Sequence, residues 1–238
     1  MPDAYEAVAT RIIPLTPGVR RFQLRLEGPK PLSFQAGQFV MVDLPGPDGS
    51  VVHRAYSIAS APDEQPLELV VEHVEGGRVT TFLFNELKEG GRFKVRAPFG
   101  PFSIREPIAP RLLFAATGTG VAPIRSMIRW LYRTGEGPKR KVTLILGIRY
   151  EDQILYDDEW KVLAASNDFT YIPTISRPRS PQTWKGEVGY VQAKAEKYVT
   201  SVDGLAAYAC GSRAMTTDLG AVLTAKGLAR DGLHFEVW

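Results

Sequence analysis

Leu112-Leu113-Phe114-Ala115-Ala116-Thr117-Gly118-Thr119-Gly120-Val121-Ala122-Pro123 is the stretch whose reading decides the fold. It runs a buried strand into a glycine turn and then into a helix whose first turn carries Pro123, where the missing N–H costs nothing. The spacing is Gly-x-Gly rather than the full Gly-x-Gly-x-x-Gly. Glycines at such a turn let the backbone approach a diphosphate at the positive end of the helix. A lone Gly-x-Gly says little, so its surroundings must supply the rest.

Downstream of Pro107–Pro110, short β-rich runs alternate with longer helical ones. Leu112–Ala116, Val142–Gly147, Phe169–Ile175, Leu205–Cys210 and Leu233–Val237 are expected strands. Helices are expected at Val121–Arg133, Ile154–Ser166, Val191–Tyr198 and Ala214–Lys226. This alternation argues for a doubly wound parallel α/β sheet, Rossmann-like, with ligands at the carboxyl ends of its strands. Upstream the rhythm is different. Ala7–Pro14, Arg20–Leu26, Gln38–Leu44, Val52–Ala59, Leu67–Val74 and Arg92–Ala97 are short runs bounded by turn residues, which predicts a six-stranded antiparallel β-barrel. Between them Val79–Leu87 has apolar residues three and four apart and is read as one short helix. Two domains are therefore expected, residues 1–104 and 105–238.

Composition limits the function. The 238 residues include one cysteine, Cys210, so an intramolecular disulfide, a four-cysteine iron–sulfur cluster and a multi-cysteine zinc site are excluded within the chain. His53, His73 and His234 are not at ligand spacing, and no metal is expected. The net charge of +3 comes from the second half, with no basic stripe to bind nucleic acid. No apolar run approaches the roughly 18 residues of a membrane span, and Met1–Thr10 has no signal pattern, so the expected compartment is the cytoplasm.

In His53-Arg54-Ala55-Tyr56-Ser57-Ile58-Ala59-Ser60, strand alternation puts Arg54 and Tyr56 on one face. A guanidinium beside an aromatic can hold the diphosphate and the flat ring of one ligand; an ordinary strand with a surface Arg and a packed Tyr is the alternative. At Gly77-Arg78-Val79-Thr80, backbone N–H groups and a hydroxyl at a helix start suit a phosphate, or simply form a capped helix.

Arg54-Ala55-Tyr56-Ser57 resembles the Arg-x-Tyr-Ser flavin signature of the ferredoxin–NADP reductase family, and the resemblance runs in order along nearly the whole chain. Gly37-Gln38 precedes it, Gly77-Arg78-Val79-Thr80 follows it, and Thr117-Gly118-Thr119-Gly120-Val121-Ala122-Pro123 resembles the family's nicotinamide diphosphate loop. The resemblance implies FAD on the barrel, with Arg54 on its diphosphate, Tyr56 stacked on the isoalloxazine, Ser57 facing N5, and Gly77, Val79 and Thr80 at the phosphates. Simple alternation would aim Ser57 away from Tyr56, so that role needs the strand to twist or end there.

For the dinucleotide, the resemblance assigns Thr117, Gly118, Thr119, Gly120, Ala122 and Pro123 to the diphosphate, and Arg149 to the adenosine half. Ser176, Arg177 and Tyr190 match points where NADP-selective members hold the 2′-phosphate and adenine; Arg177 could equally be a solvated loop charge. Asp152 would cap the next helix, and as an acid it keeps NAD(H) open beside NADP(H). Tyr208-Ala209-Cys210-Gly211-Ser212-Arg213-Ala214-Met215 resembles the family's Cys-Gly-x-x-x-Met, which puts Cys210, Gly211 and Met215 beside the nicotinamide. Glu236 is expected at the flavin edge, and Trp238 either covers the flavin or is core. Ser57, Cys210 and Glu236 would complete the transfer site.

The implied activity is hydride exchange between NADP(H) and FAD, with single electrons passed to or from a small redox protein, ferredoxin or flavodoxin. Alternatives are the reductase component of a multicomponent oxygenase, a free-flavin reductase, or a non-catalytic electron-transfer subunit.

Overall fold

The structure, a computed structural model, describes residues 2–46, 48–166 and 168–237. The chain divides into two compact units. One comprises the residues up to Ser103 together with Arg125–Trp130, and the other the remainder.

The first unit contains β1 (Asp3–Thr16), β2 (Val19–Glu27), β3 (Phe39–Pro45), β4 (Val51–Ser57), β5 (Leu67–Glu72) and β6 (Arg92–Phe99). They form one antiparallel sheet in the order β4-β3-β6-β1-β2-β5. Its two edges meet through a bridge between Ile58 and Leu69, reinforced by Ala59 N–H donating to Glu68 O at 2.8 Å, which closes the sheet into a barrel. Closure leaves few open edges. The alternate residues Phe22, Leu24, Val40, Val42 and Val95 point inward and are fully buried.

Where one helix was expected over Val79–Leu87, α1 (Arg78–Thr81) passes directly into a π-turn, Phe82–Glu86. The turn closes with Leu87 N–H on Phe82 O at 2.8 Å, five residues back. Arg20 reaches across, donates from Nη1 to Phe84 O at 2.7 Å and lays its guanidinium over the Phe84 ring.

In the second unit β7 (Arg111–Thr117), β8 (Lys141–Ile148), β9 (Phe169–Ile175), β10 (Glu187–Val188), β11 (Leu205–Gly211) and β12 (Leu233–Val237) make a parallel sheet ordered β10-β9-β8-β7-β11-β12. Its helices are α3 (Asp157–Ser166), α4 (Val191–Tyr198) and α5 (Arg213–Ala225), while α2 (Val121–Arg133) follows β7 and has its middle, Arg125–Trp130, in the first unit. β8 lies on one side of β7 and β11 on the other, so the strand order reverses at β7. The carboxyl ends of β7 and β11 are therefore where this architecture opens a ligand crevice.

Helix α3 starts three residues later than the expected Ile154. Ile154 is extended and Tyr156 has a φ of +61°, neither of which continues a helix. Asp152 consequently does not cap α3. It lies in a 3₁₀ turn, Glu151–Gln153, and its carboxylate accepts from Arg179 Nη1 at 3.0 Å. No helix among the described residues is long and apolar enough to cross a membrane.

Candidate functional site

In the first unit, β4 pairs with β3 so that Arg54 stands opposite Val42 and Tyr56 opposite Val40, which puts both on one face. Helix α1 lies against this strand. Arg54 is exposed and spends one contact locally, Nη1 to His53 O at 2.7 Å. Tyr56 is half-buried; burial pushes its phenol up to about 12, so it stays protonated and able to donate. β4 ends at Ser57, and the next residue, Ile58, crosses to Leu69. Ser57 is the last residue of β4 and still pairs with Phe39.

The turn after β5 is braced from inside. Thr80, 6% exposed, shares its hydroxyl proton between Val74 O at 3.0 Å and Gly77 O at 3.1 Å and accepts from Val74 N–H at 3.3 Å. Thr80 Oγ1 thus holds the shape of the Gly77 turn. Val79 is buried in the barrel core. What this turn offers an anion is its backbone.

In the second unit Thr117 ends β7, and Gly118–Gly120 makes a single 3₁₀ turn into α2. Gly118 has φ +52°, and a Cβ there would meet nothing within 4 Å. Glycine is needed for the left-handed backbone, and open space stands in front of it. Ala122 and Pro123 are buried in the first turn of α2. Gly147 of β8 is in register with Thr117. At Gly211, the end of β11, a Cβ would lie 2.2 Å from Thr117 Oγ1 and 2.5 Å from Met215 Cε. Thr117, Gly211 and Met215 thus converge at the carboxyl ends of the central strands. Thr117 Oγ1 is buried with no hydrogen-bond partner among the described residues. A buried hydroxyl without a partner is costly unless a ligand supplies one.

Cys210 lies opposite Glu236 across β11 and β12, with Sγ 4.0 Å from Oε1. Burial, and then the Glu236 charge, push its thiol well above the usual range. It is a neutral wall, unsuited to nucleophilic attack at neutral pH.

The ends of β8 and β9 gather the remaining residues. Ser176 N–H donates to Ile148 O at 3.0 Å and Arg177 N–H to Arg149 O at 2.9 Å, so the parallel ladder continues past both strands. Gly189 N–H bonds Ile175 O at 2.8 Å, and Tyr190, 64% exposed, begins α4 beside them. Tyr150, Glu151 and Arg179 also belong here and were not anticipated. Arg179 stacks its guanidinium 3.8 Å from the Tyr150 ring centroid while pairing with Asp152. The only hint in the sequence was the Arg177-Pro178-Arg179 repeat. Trp238 lies outside the described residues.

The donor sets fit the two expected groups. Exposed Arg54 beside the Gly77 turn suits a flavin diphosphate, and the open Gly118 turn with the partnerless Thr117 hydroxyl suits a nicotinamide dinucleotide. Among the described residues no group of His, Cys, Asp or Glu is placed to hold a metal ion.

Two family models match the chain. The family described as Oxidoreductase FAD-binding domain matches residues 8–104, and Oxidoreductase NAD-binding domain matches residues 114–220. A ferredoxin--NADP reductase B from Sorangium cellulosum is 40% identical over 205 residues, 85% of this chain and 81% of that protein. The phenol 2-monooxygenase reductase component DmpP of a Pseudomonas species is 34% identical over 212 residues, 88% of this chain but 58% of its own length. Among solved structures, the Amycolatopsis cytochrome P450 reductase GcoB superposes with a TM-score of 0.87 at 27% identity, covering 98% of this chain and 69% of that one.

Proposed function

The chain belongs to the oxidoreductases that join an FAD-binding to an NAD-binding domain, and from that premise we propose that it is a ferredoxin- or flavodoxin-NADP reductase. In this reading residues 1–104 hold FAD and residues 105–238 hold NADP(H), in the cytoplasm. Bound FAD and nicotinamide would supply the hydride exchange and its division into single electrons for a protein acceptor.

The protein's part is to bind, orient and exclude water. Arg54 and the Gly77 turn anchor the flavin diphosphate, and the protonated Tyr56 phenol gives the ring an aromatic face with a donor at its edge. Ser57, at the strand end, is the hydroxyl nearest in sequence to that face. Gly118 to Pro123 approach the dinucleotide diphosphate, while Thr117 Oγ1 donates to the bound nicotinamide half. Cys210 and Glu236 line the same end of the sheet, and the uncharged thiol leaves the dinucleotide unattacked.

The observation that carries the NADP reading is the Arg179–Asp152 ion pair. Asp152 is the acid that could have read a ribose 2′-hydroxyl, and its charge is answered by Arg179. Arg149, Ser176 and Arg177 then present cations and a hydroxyl, which suit a 2′-phosphate. The likeness to DmpP and GcoB supports a second reading, the reductase component of an oxygenase. Release of free flavin is disfavoured by the Arg54 clamp.

Steady-state turnover of the purified protein with NADPH and with NADH, using ferricyanide, a ferredoxin and free flavin as acceptors, tests the proposal. Retained FAD, preference for NADPH and reduction of ferredoxin are expected. Preference for NADH, or reduction of free flavin alone, overturns it.

A further inference from the structure

The segment Ser176-Arg177-Pro178-Arg179-Ser180 has four backbone donors, since proline has none, and all four are taken by one short stretch of chain. Ser176 N–H goes to Ile148 O and Arg177 N–H to Arg149 O. Arg179 N–H goes to Glu151 Oε2 at 3.1 Å and Ser180 N–H to Glu151 Oε1 at 2.8 Å. The first two bonds are main-chain and survive any substitution. The second two depend on a single carboxylate, which caps the turn Ser180–Trp184 from 29 residues away in sequence. The Ser180 N–H, then Glu151's own N–H and the Arg179 N–H hold the Glu151 carboxyl below the usual carboxylate range, so it is ionised at neutral pH and its bonds are charge-assisted. Pro178 removes a rotatable φ between the two anchored pairs. Arg177 is thus held by its own ladder bond on one side and by the Glu151 clamp on the other.

We propose that Glu151 is a positioning residue for recognition of the 2′-phosphate: it fixes the backbone on both sides of Pro178 so that Arg177 is pre-organised for that group. The inference rests on the NADP reading of the preceding section. It makes a prediction of opposite sign to simple proximity. A carboxylate near a phosphate repels it, so neutralising Glu151 would tighten phosphate binding if charge alone mattered. If Glu151 acts by ordering the loop, its loss makes binding pay the ordering entropy and weakens it.

The test titrates the FAD-loaded protein with 2′,5′-ADP and with 5′-AMP, for the wild type, Arg177→Ala, Glu151→Ala, Glu151→Gln and the double variant Arg177→Ala/Glu151→Ala. Glu151→Ala should weaken 2′,5′-ADP by about tenfold and leave 5′-AMP within about twofold. Glu151→Gln, which keeps one acceptor oxygen, should fall between wild type and alanine. In the double variant the loss should be no larger than in Arg177→Ala alone, because Glu151 acts through Arg177.

Equal weakening of both nucleotides, or tighter 2′,5′-ADP in either Glu151 variant, overturns the inference while a selective loss in Arg177→Ala leaves the NADP reading standing. No selective loss in Arg177→Ala overturns both. Should Glu151→Ala not fold, Glu151→Gln decides by the same signs.

Discussion

Gly211→Ala is the most direct probe of the convergence at the ends of β7 and β11. The added Cβ would sit 2.2 Å from Thr117 Oγ1 and 2.5 Å from Met215 Cε, where ordinary contacts lie at about 3.5–4.0 Å. More than about 1 Å must be found. Met215 can swing its terminal methyl away, whereas β-branched Thr117 is stiff at χ1 and has to leave its rotamer or push β7. Overpacking of this kind costs about 1–3 kcal/mol, and each kcal/mol lowers Tm by about 2–4 °C in a domain of this size class. The functional cost is of similar size, because a misplacement of about 1 Å at a reacting centre can cost about 10²-fold in rate, or about 2.7 kcal/mol. The assay is single-turnover bleaching of the bound FAD by NADPH, with FAD content and Tm measured on the same sample. A rate lowered about 10- to 100-fold with FAD content unchanged is expected, since Arg54 and Tyr56 belong to the other unit. Adding Thr117→Ala should restore Tm without restoring the rate. A destabilised protein that bleaches at the wild-type rate would show that nicotinamide does not dock here, and an unchanged Tm would refute the packing argument itself.

Three further outcomes are expected. Arg54→Ala removes a charge-assisted contact worth about 1.5–3 kcal/mol, so FAD should bind about ten- to a hundredfold more weakly; undiminished retention after gel filtration would remove Arg54 from the flavin site. Cys210, its thiol raised by burial and by Glu236, should resist iodoacetamide at pH 8 in the folded protein and react once urea unfolds it; rapid labelling of the native state would contradict the buried wall. Glu187 is held at about 2 by Lys194, Lys197 and Tyr198, below the usual 4.5. A depressed carboxylate stabilises the fold above its unfolded pKa and loses that contribution as pH falls, so the stability gap between wild type and Glu187→Gln should shrink between about pH 5 and pH 2. A gap that is constant across that window would assign the effect to packing.

The fold was largely legible because its signals are local. Helices α2 and α4 begin and end where apolar spacing predicts, and the strand-turn-helix at Leu112–Pro123 is as its glycines and proline imply. What escaped reading depends on partners far along the chain. Within the π-turn Phe82–Glu86, Phe84 O is bound by Arg20 from 64 residues away, and the Asp152 carboxylate is paired with Arg179. Thr80 was expected at a phosphate because a hydroxyl at a helix start suits an anion. Only the three-dimensional turn shows its hydroxyl folded back on Val74.

The least legible feature bears on the flavin face most directly. Nothing in the spacing of the expected helix Val121–Arg133 marked Arg125, Ser126 or Arg129, yet Arg125 is 3% exposed. Its Nη1 donates to Glu68 Oε2 and to Ala59 O, both at 2.8 Å, while Gln23 Nε2 donates to Glu68 Oε1 at 2.8 Å. Ser126 Oγ donates to Ser60 O at 2.6 Å, and Arg129 Nε grips Glu64 at 2.9 Å. Every acceptor named lies at Ala59–Glu68, the segment that leaves Ser57 and closes the barrel. Burying an ion pair rarely stabilises a fold more than an apolar pair of the same volume would, because both charges lose their water. What it adds is direction: a guanidinium shared between a carboxylate and a carbonyl accepts few alternative geometries. The chain that leaves β4 is thereby fixed from Ala59, two residues beyond Ser57.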